Sequence, residues 1–500
     1  MLQSPRRRAL SLAASLLLLV STIFAGFAGC DTPLGLQGNP TSTTSPTSTG
    51  VPVPSVPATM TLNDGPLAPP ISANFVGFSI EPQYLCRFLA VEQQNPALDQ
   101  FYRTLGPSII RFGGNSMDSS TWTPDAACSQ LTFGVSTIAD IFAFARRVDA
   151  QVIWGLNLKA NDPTAAADEA ATVAALGGDR LLGFEIGNEP NTWTTAAAYL
   201  RTWDAYAAAI SAAAPGVPLT GPAMYDNEGR NWFAQFVSSR HSRLARVTYH
   251  YYPLQSDDLP GTPTAPTVDN LLSPQLMART STDISRVVRQ ASSYGLPLEI
   301  DETNSINGGG VMGVSNVFAA ALWGADYLFT SAELGVSSVN MHSNGGILAG
   351  DAYAPIAVDA NSGNFYARPL YYGMLLFHLA ASEGAVPLPI TVTSSANVSA
   401  YALLNADGRL VIVLINKDRT SDVRAHVVLG AYGESVTDGR AIHLTAPSLA
   451  STTGVALAGA SVDANGSWMP RASEHVGVKN ASFTIVVPRG SATLVTLMAQ

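Results

Sequence analysis

Positive charge is scarce in this sequence. Charged residues make up 13% of its 500 residues, and the formal net charge is −10. Three arginines are the only charges in the first thirty residues, so the remaining chain stands at −13. A body this acidic is a poor candidate for binding nucleic acid or another extended polyanion. The sequence has only three lysines, which are Lys159, Lys417 and Lys479.

Cysteine and metal-binding motifs are scarce as well. The chain has three cysteines and no CxxC or HExxH motif, so no common metal-ligand spacing is present and we expect no metal or other cofactor. Apart from Cys30, which ends the leader, the cysteines are Cys86 and Cys128. An even pair in an exported protein predicts a disulfide, and two buried free thiols are the alternative.

Residues 1–30 have the layout of an export signal. A run of three arginines, Arg6 to Arg8, precedes an apolar stretch that ends in small residues before Cys30. This ending resembles a bacterial lipobox, with Phe27 where leucine is usual, and the resemblance implies that Cys30 is lipidated. An ordinary cleaved signal and an uncleaved membrane anchor are the alternatives. We therefore expect an exported protein, lipid-anchored at the cell surface or in the periplasm.

Residues 31–57 are rich in Pro, Ser, Thr and Gly and show no apolar periodicity. This composition is typical of a flexible tether. Apolar residues make up 47% of the chain, which excludes a disordered or collagen-like main body.

Eight short apolar runs recur in the middle of the chain, with helical periodicity between them. They begin near residues 75, 108, 151, 181, 217, 246, 296 and 335. This repeat predicts an α/β protein with a (β/α)₈ barrel over residues 58–374, and a doubly wound open sheet is the alternative. Residues 375–500 alternate β-prone runs with turn residues, which predicts an antiparallel β-sandwich. Residues 58–66 could add a strand to it.

The predicted strand ends carry carboxylates. Glu189 follows the fourth strand and Glu302 ends the seventh, and active sites of such barrels lie at the carboxyl ends of the strands. Glycoside hydrolysis uses one carboxylic acid to protonate the leaving oxygen and a second carboxylate to attack the anomeric carbon or activate water. The pair therefore indicates a glycosidase.

Three motifs make the indication more specific. The segments GFEIGNEPNTW, VTYHYYP and EIDETNSINGGG, in this order, resemble glycoside hydrolase family 79, which contains heparanase and microbial β-glucuronidases. The similarity runs from about Phe75 to His342, and the predicted sandwich also suits the family. The resemblance implies a retaining hydrolase that cleaves a β-linked uronic acid or a related sugar from an oligosaccharide, polysaccharide or glycoconjugate.

The resemblance also implies roles for individual residues. Glu189 would be the general acid/base and Glu302 the nucleophile. Asn188 would bind the hydroxyl beside the anomeric carbon, and Glu81 would contact the sugar. The remaining implied roles are those of His250 and Tyr252, which would flank and orient Glu302, and of Gly308 and Gly309, whose N–H groups would bind the uronate carboxylate.

Two positions depart from the heparanase pattern. Asn307 and Met341 stand where heparanase has tyrosines, which weakens the assignment of a glucuronate ring; Tyr353 could substitute. A β-glycosidase for another sugar, such as a galactoside, xyloside or arabinofuranoside, is one alternative. A surface glycan-binding protein without turnover is the other, although the presence of both carboxylates and His250 argues against it.

Overall fold

The structure is a computed structural model that describes residues 53–225, 231–344, 351–359 and 361–499. The predicted export leader, Cys30 and most of the predicted tether lie outside the described residues. Among the described helices, none is long and apolar enough to cross a membrane.

Eight parallel strands close into a barrel, as predicted, so the doubly wound alternative is wrong. Each strand pairs with the next, and strand 8 pairs with strand 1. We number them 1 to 8 in chain order: Val76–Ile80, Ser108–Phe112, Ala150–Leu156, Leu181–Ile186, Leu219–Met224, Arg246–Tyr251, Leu298–Thr303 and Ser338–His342. Nearly every residue of these strands is buried, because helices cover the outer face of the barrel.

The α-helices of the described chain surround the barrel. They are Leu85–Gln94, Ala97–Thr104, Val135–Arg147, Pro163–Gly177, Ala196–Ala213, Trp232–Arg240, Val268–Leu271, Pro274–Ser292, Phe318–Glu333 and Pro369–Ala380. Several begin at side-chain caps. Asp162, for example, accepts hydrogen bonds from the N–H groups of Thr164 and Ala165 at 3.1 and 3.0 Å, which stabilises the first turn.

Two sheets with their own apolar core form the C-terminal β-sandwich. The first has the strand order Ile390–Ser394, Ser55–Leu62, Asp422–Val428, Ser482–Val487. The second has the order Val386–Leu388, Val398–Leu404, Leu410–Asn416, Ser491–Ala499, Val436–Thr445, Ala456–Leu457, and Glu474–Gly477 also pairs with Val436–Thr445.

The strand Ser55–Leu62 belongs to the antiparallel sandwich. It lies between two sandwich strands, pairing antiparallel with Ile390–Ser394 and parallel with Asp422–Val428. The pairing can be parallel because the two strands are far apart in the sequence and need no hairpin. The strand also begins inside the predicted tether 31–57. The predicted boundary at residues 374 and 375 falls inside Pro369–Ala380, so the barrel helices continue to Ala380.

A buried ion pair joins the barrel to the sandwich. Asp326 on helix Phe318–Glu333 pairs with Lys417, and Tyr401 donates a hydrogen bond to the same carboxylate. Lys417 also donates to Ser399 at 3.0 Å. Removing either charged partner would leave the other buried without compensation, which is costly. These contacts tie the two domains together.

Cys86 and Cys128 form a disulfide, with a Cα–Cα distance of 5.6 Å. We expect the Cys86→Ser, Cys128→Ser double variant to lose roughly 3–5 kcal/mol of unfolding free energy, because the bridge closes a loop and so restricts the unfolded chain. Denaturant unfolding measures the difference, with Cys30→Ser as a control that keeps the bridge. Reaction of both thiols with a thiol reagent in the native, unreduced protein would contradict the pairing.

Candidate active site

The carboxyl ends of the barrel strands surround a cavity of about 430 Å³. Sites of (β/α)₈ enzymes lie at this end of the barrel. Among the residues predicted for the site, the cavity is lined by Glu81, Glu189, Tyr252, Glu302, Gly308 and Gly309. Asn188 and His250 lie just behind this lining and contact it.

A sharp turn after strand 4 presents Glu189 to the cavity. Gly187 has a φ of 81°, and Glu189 itself lies in the left-handed region at φ 42°. The N–H group of Glu189 donates to the carbonyl of Ala223 at 2.8 Å, and a 3₁₀ helix, Pro190–Thr192, follows at once. A left-handed non-glycine residue costs free energy and is concentrated at functional sites.

Glu302 lies near the end of strand 7 and is held by two donors. The Tyr252 hydroxyl donates to Oε1 at 2.9 Å, and Arg111 Nη1 donates to Oε2 at 2.8 Å. Both oxygens are therefore fixed in position before a substrate binds, which is the preorganisation that a nucleophile needs.

The two carboxylates are close together. One oxygen of Glu189, one oxygen of Glu302 and one ring nitrogen of His250 all lie within 4.8 Å of one another. Retaining glycosidases hold their carboxyl groups ~5–5.5 Å apart, whereas inverting enzymes hold them ~6.5–9.5 Å apart to admit a water molecule. The short gap fits retention.

Electrostatics keep Glu302 ionised. Burial acts to raise its pKa, but the positive charges of His342, His250 and Arg111, together with the hydrogen bond from Tyr252, lower the pKa well below its usual range. The nearest nitrogens of His250 and His342 each lie 3.9 Å from Oε2. A carboxylate that stays charged at every physiological pH suits a nucleophile.

His250 contacts both carboxylates. It was predicted to flank Glu302 and hold it ionised and oriented, and its Nδ1 lies 3.9 Å from Glu302 Oε2, but the hydrogen bond of Nδ1 is to Glu189 Oε1, at 2.8 Å. The ring is fully buried, which acts to lower its pKa, yet the carboxylates of Glu302 and Asp301 and the bond to Glu189 raise the pKa to about 10. His250 is therefore a cation at neutral pH, and it holds the acid/base residue more directly than the nucleophile.

We expect this histidine to make stability fall as the pH rises. Its contribution is complete below its unfolded pKa of about 6.5 and is lost between there and about 10, because the folded pKa is the higher one. Unfolding free energy, measured with denaturant from pH 6 to 10, should fall by roughly 1 kcal/mol per pH unit. His250→Asn should flatten this slope, and parallel curves for the two proteins would contradict the assignment.

An ion network that the sequence analysis did not assign lies beneath the cavity. Arg111, on strand 2, is completely buried and contacts Glu185 Oε2 at 2.6 Å, Asp301 Oδ2 at 3.1 Å and the nucleophile candidate Glu302 at 2.8 Å. It also donates to Asn188 Oδ1 at 2.8 Å. Burial and the neighbouring Asp301 raise the pKa of Glu185, while Arg111 opposes them. This network holds the ends of strands 4 and 7, next to the two catalytic candidates Glu189 and Glu302.

Asn188 and Glu81 are held by the turn after strand 2. The Asn188 amide donates to Asn115 Oδ1 at 3.1 Å. Glu81 accepts hydrogen bonds from the N–H groups of Asn115 and Ser116 at 3.0 and 2.8 Å, and from the Ser116 hydroxyl. Glu81 is exposed to the cavity but is already well bonded, and its predicted contact with the sugar stays a prediction, as does that of Asn188.

The glycine turn also lines the cavity. Gly308 and Gly309 have φ values of 67° and 97°, and neither N–H group donates to another described residue. Asn307 also lines the cavity, and its side chain accepts from the Ser256 N–H at 2.7 Å and donates to Gln255 at 2.8 Å. Met341 is completely buried, whereas Tyr353 lines the cavity.

A metal ion is the other species that this geometry could hold. Within the described residues, one group of carboxylate and histidine side chains lies close enough together to bind a metal ion, and it consists of Glu189, His250 and Glu302. However, the His250 Nδ1 is bonded to Glu189, and Glu302 accepts from Tyr252 and Arg111. The donor set is therefore already engaged in the contacts that acid/base and nucleophilic chemistry require.

Comparison with known proteins agrees with this chemistry. A β-glucuronidase of Aspergillus niger is 25% identical over 409 residues, which cover 70% of this chain and 73% of that protein. The solved 4-O-α-L-rhamnosyl-β-D-glucuronidase of Fusarium oxysporum 12S matches 88% of this chain and all of its own, with a TM-score of 0.73 and 21% identity. A GH51 arabinofuranosidase of Xanthomonas axonopodis pv. citri matches 89% of this chain and all of its own, with a TM-score of 0.66 and 16% identity. At these identities the structural matches show the fold.

The barrel, the paired carboxylates and these relatives define a glycoside hydrolase. Within that class, residues 400–494 match the model of the glycosyl hydrolase family 79 C-terminal β domain. The resemblance inferred from the barrel motifs is thereby supported from a separate part of the chain.

Proposed function

We propose that this protein is a retaining β-glucuronidase in which Glu302 is the nucleophile and Glu189 the acid/base. The observation that carries the proposal is the approach of the two carboxylates to within 4.8 Å in one cavity. Their different surroundings support the division of roles, because Glu302 is held as an anion while Glu189 is the more exposed of the two. The curated relative from Aspergillus niger supports the choice of sugar.

The first step would form a glycosyl-enzyme intermediate. A Glu302 oxygen attacks the anomeric carbon while the glycosidic bond breaks and Glu189 gives its proton to the leaving oxygen. His250 donates to Oε1 of Glu189, and Oε2 has no partner among the described residues. Oε2 is therefore the oxygen that can carry the proton to be transferred.

The second step would release the sugar. The negative charge of Glu302 disappears when the ester to the sugar forms, so Glu189 becomes free to take a proton from water. The water attacks the anomeric carbon from the face that the leaving group has vacated, and the bond to Glu302 breaks. Two inversions at one carbon give net retention.

The glycine turn supports an acidic sugar. Two successive N–H groups without a described partner, at Gly308 and Gly309, form a concave anion site when they face a carboxylate. Tyr353 lies on the same cavity, and its ring contacts that of His342 with centroids 6.0 Å apart. A hydroxyl group and a histidine would complete the recognition of a uronate at its C6 carboxylate.

A panel of chromogenic glycosides tests the sugar, and proton NMR of the first product tests the stereochemistry. We expect hydrolysis of 4-nitrophenyl β-D-glucuronide, with the β-anomer appearing first, and much slower hydrolysis of the β-galactoside, β-xyloside and α-L-arabinofuranoside. Preferred cleavage of one of the neutral sugars would overturn the choice of sugar. Binding of glucuronate without turnover of any glycoside would contradict the proposal that the protein is an enzyme.

We further propose that the protein is exported and anchored through a lipid on Cys30. The arginines and the apolar run before Cys30 support export, and the disulfide Cys86–Cys128 suits an oxidising compartment. The acidic body and the Pro- and Ser-rich stretch after Cys30 suit a protein held away from a membrane surface.

Metabolic labelling with a clickable fatty acid tests the anchor in a bacterial host that processes lipoproteins. We expect label on the wild-type protein and its recovery with membranes, and loss of both in Cys30→Ser. Equal labelling of Cys30→Ser would overturn the lipid site, and retention of the whole protein in the cytoplasm would overturn export.

A further inference from the structure

We propose that Trp193 and Lys159 form the leaving-group subsite of this glycosidase, and that it accepts a sugar ring carrying an acidic substituent. The inference rests on the proposed function, since a leaving-group subsite has meaning only beside a working acid/base residue. It concerns the part of the substrate that departs, not the glucuronate ring.

Trp193 differs from every other tryptophan of the chain. All seven tryptophans lie in the described residues, and Trp193 alone is exposed, at 37%. The remaining six are buried or half-buried. A large flat apolar surface left in contact with water is a candidate for stacking against a ligand.

The position of Trp193 identifies which part of a substrate it would meet. It directly follows the 3₁₀ helix Pro190–Thr192, whose N-cap residue is Glu189. Its indole N–H donates to the Asn188 carbonyl at 3.3 Å, so the ring is held against the turn that presents the acid/base residue. The leaving oxygen receives its proton from Glu189. The leaving group therefore extends from a point beside this turn.

Lys159 adds a positive charge to the same place. It follows strand 3, the neighbour of strand 4, and its Nζ lies 5.7 Å from the centre of the Trp193 ring. The other two lysines lie in the sandwich, with Lys417 engaged by Asp326. A chain with a net charge of −10 repels acidic ligands at long range, so an exposed lysine on an aromatic platform gives this spot a local preference for a negative group.

The chemistry of the pair defines the ligand class. One face of the indole can stack against the C–H face of a pyranose ring, and the ammonium group can pair with a carboxylate or sulfate on that ring. Because Lys159 is exposed, the charge preference should weaken as salt is added.

The test compares substrates that differ only in the leaving group. β-D-Glucuronosyl fluoride has no leaving sugar, and two glucuronosyl disaccharides carry either a neutral hexose or the matching uronic acid in the second ring. We expect Trp193→Ala to lower kcat/KM for both disaccharides about 10-fold more than for the fluoride. Lys159→Met should reduce the preference for the acidic over the neutral disaccharide by about 3- to 5-fold at low salt.

Controls separate this inference from the proposed function. Lys479→Met removes an exposed lysine from the sandwich and should leave the preference for the acidic disaccharide as it is in the wild type. Two results would contradict the leaving-group subsite without affecting the proposed enzyme activity. One is that Trp193→Ala lowers the rates for the fluoride and the disaccharides equally, and the other is that Lys159→Met leaves the preference for the acidic disaccharide unchanged. If the wild type hydrolyses none of the three substrates, both the proposed function and the proposed subsite are contradicted.

Discussion

Glu302→Gln should lose at least ~10³-fold in kcat while the fold is retained. Glutamine has nearly the same shape, and its one oxygen can still accept from Arg111 while its NH2 group faces the Tyr252 hydroxyl, which can accept a hydrogen bond. An amide, however, cannot form the covalent intermediate. Steady-state kinetics with 4-nitrophenyl β-D-glucuronide measures the loss, and circular dichroism checks the fold.

Two further variants make this result specific. Glu299→Gln changes a carboxylate on the same strand at the opposite end of the barrel, where it contacts Arg246 and Asn340, and it should leave kcat almost unchanged. In Glu189→Ala, azide should restore turnover of an activated glucuronide and give the β-glycosyl azide, because azide attacks the intermediate without needing a base. Near-normal activity of Glu302→Gln would remove it as the nucleophile.

Arg111→Leu should destabilise the protein by at least ~3–5 kcal/mol. Leucine removes the cation that Glu185, Asp301 and Glu302 share, and three carboxylates in a buried region would then lack their common partner. Denaturant unfolding measures the difference. Arg111→Lys is the comparison, because lysine keeps the charge but loses the planar fork that reaches several partners at once.

A surface arginine provides the matched control. Arg103 is 45% exposed and lies 3.9 Å from Asp99, so Arg103→Leu should cost less than ~1 kcal/mol. If the unfolding free energy of Arg111→Leu remains within ~1 kcal/mol of the wild type, the network around Arg111 does not stabilise the barrel. Arg111→Lys should also lower kcat, because Glu302 would lose a fixed donor.

The sequence predicted the barrel because its signal is local and repeated. Each strand is a short apolar run, and eight such runs at similar spacing leave few other folds. Glu189 and Glu302 could be predicted because each sits in a motif at a strand end. The boundary at residue 374 was harder to place, since helix Pro369–Ala380 is apolar along its whole length and resembles neither domain distinctly.

The network around Arg111 could not be derived in the same way. Its partners come from strands 4 and 7, and sequence spacing does not show which side chains meet inside a closed barrel. A signal was nevertheless present, because Arg111 and Glu185 are the single charged residues of strands 2 and 4, and Asp301 is one of three acidic residues in strand 7. Likewise, the choice of His250 between Glu189 and Glu302 depends on ring orientation, which no motif specifies.

The strand Ser55–Leu62 has a consequence for the order of folding. Met60 pairs with Val392 and with Val427, so its neighbours are made more than 300 residues later. This strand, the first of the described chain, must therefore wait, unpaired, until most of the chain has been synthesised, and such distant contacts form slowly. The barrel can assemble around its own local contacts in the meantime, and the closing of that sheet is then a late event in the maturation of the protein.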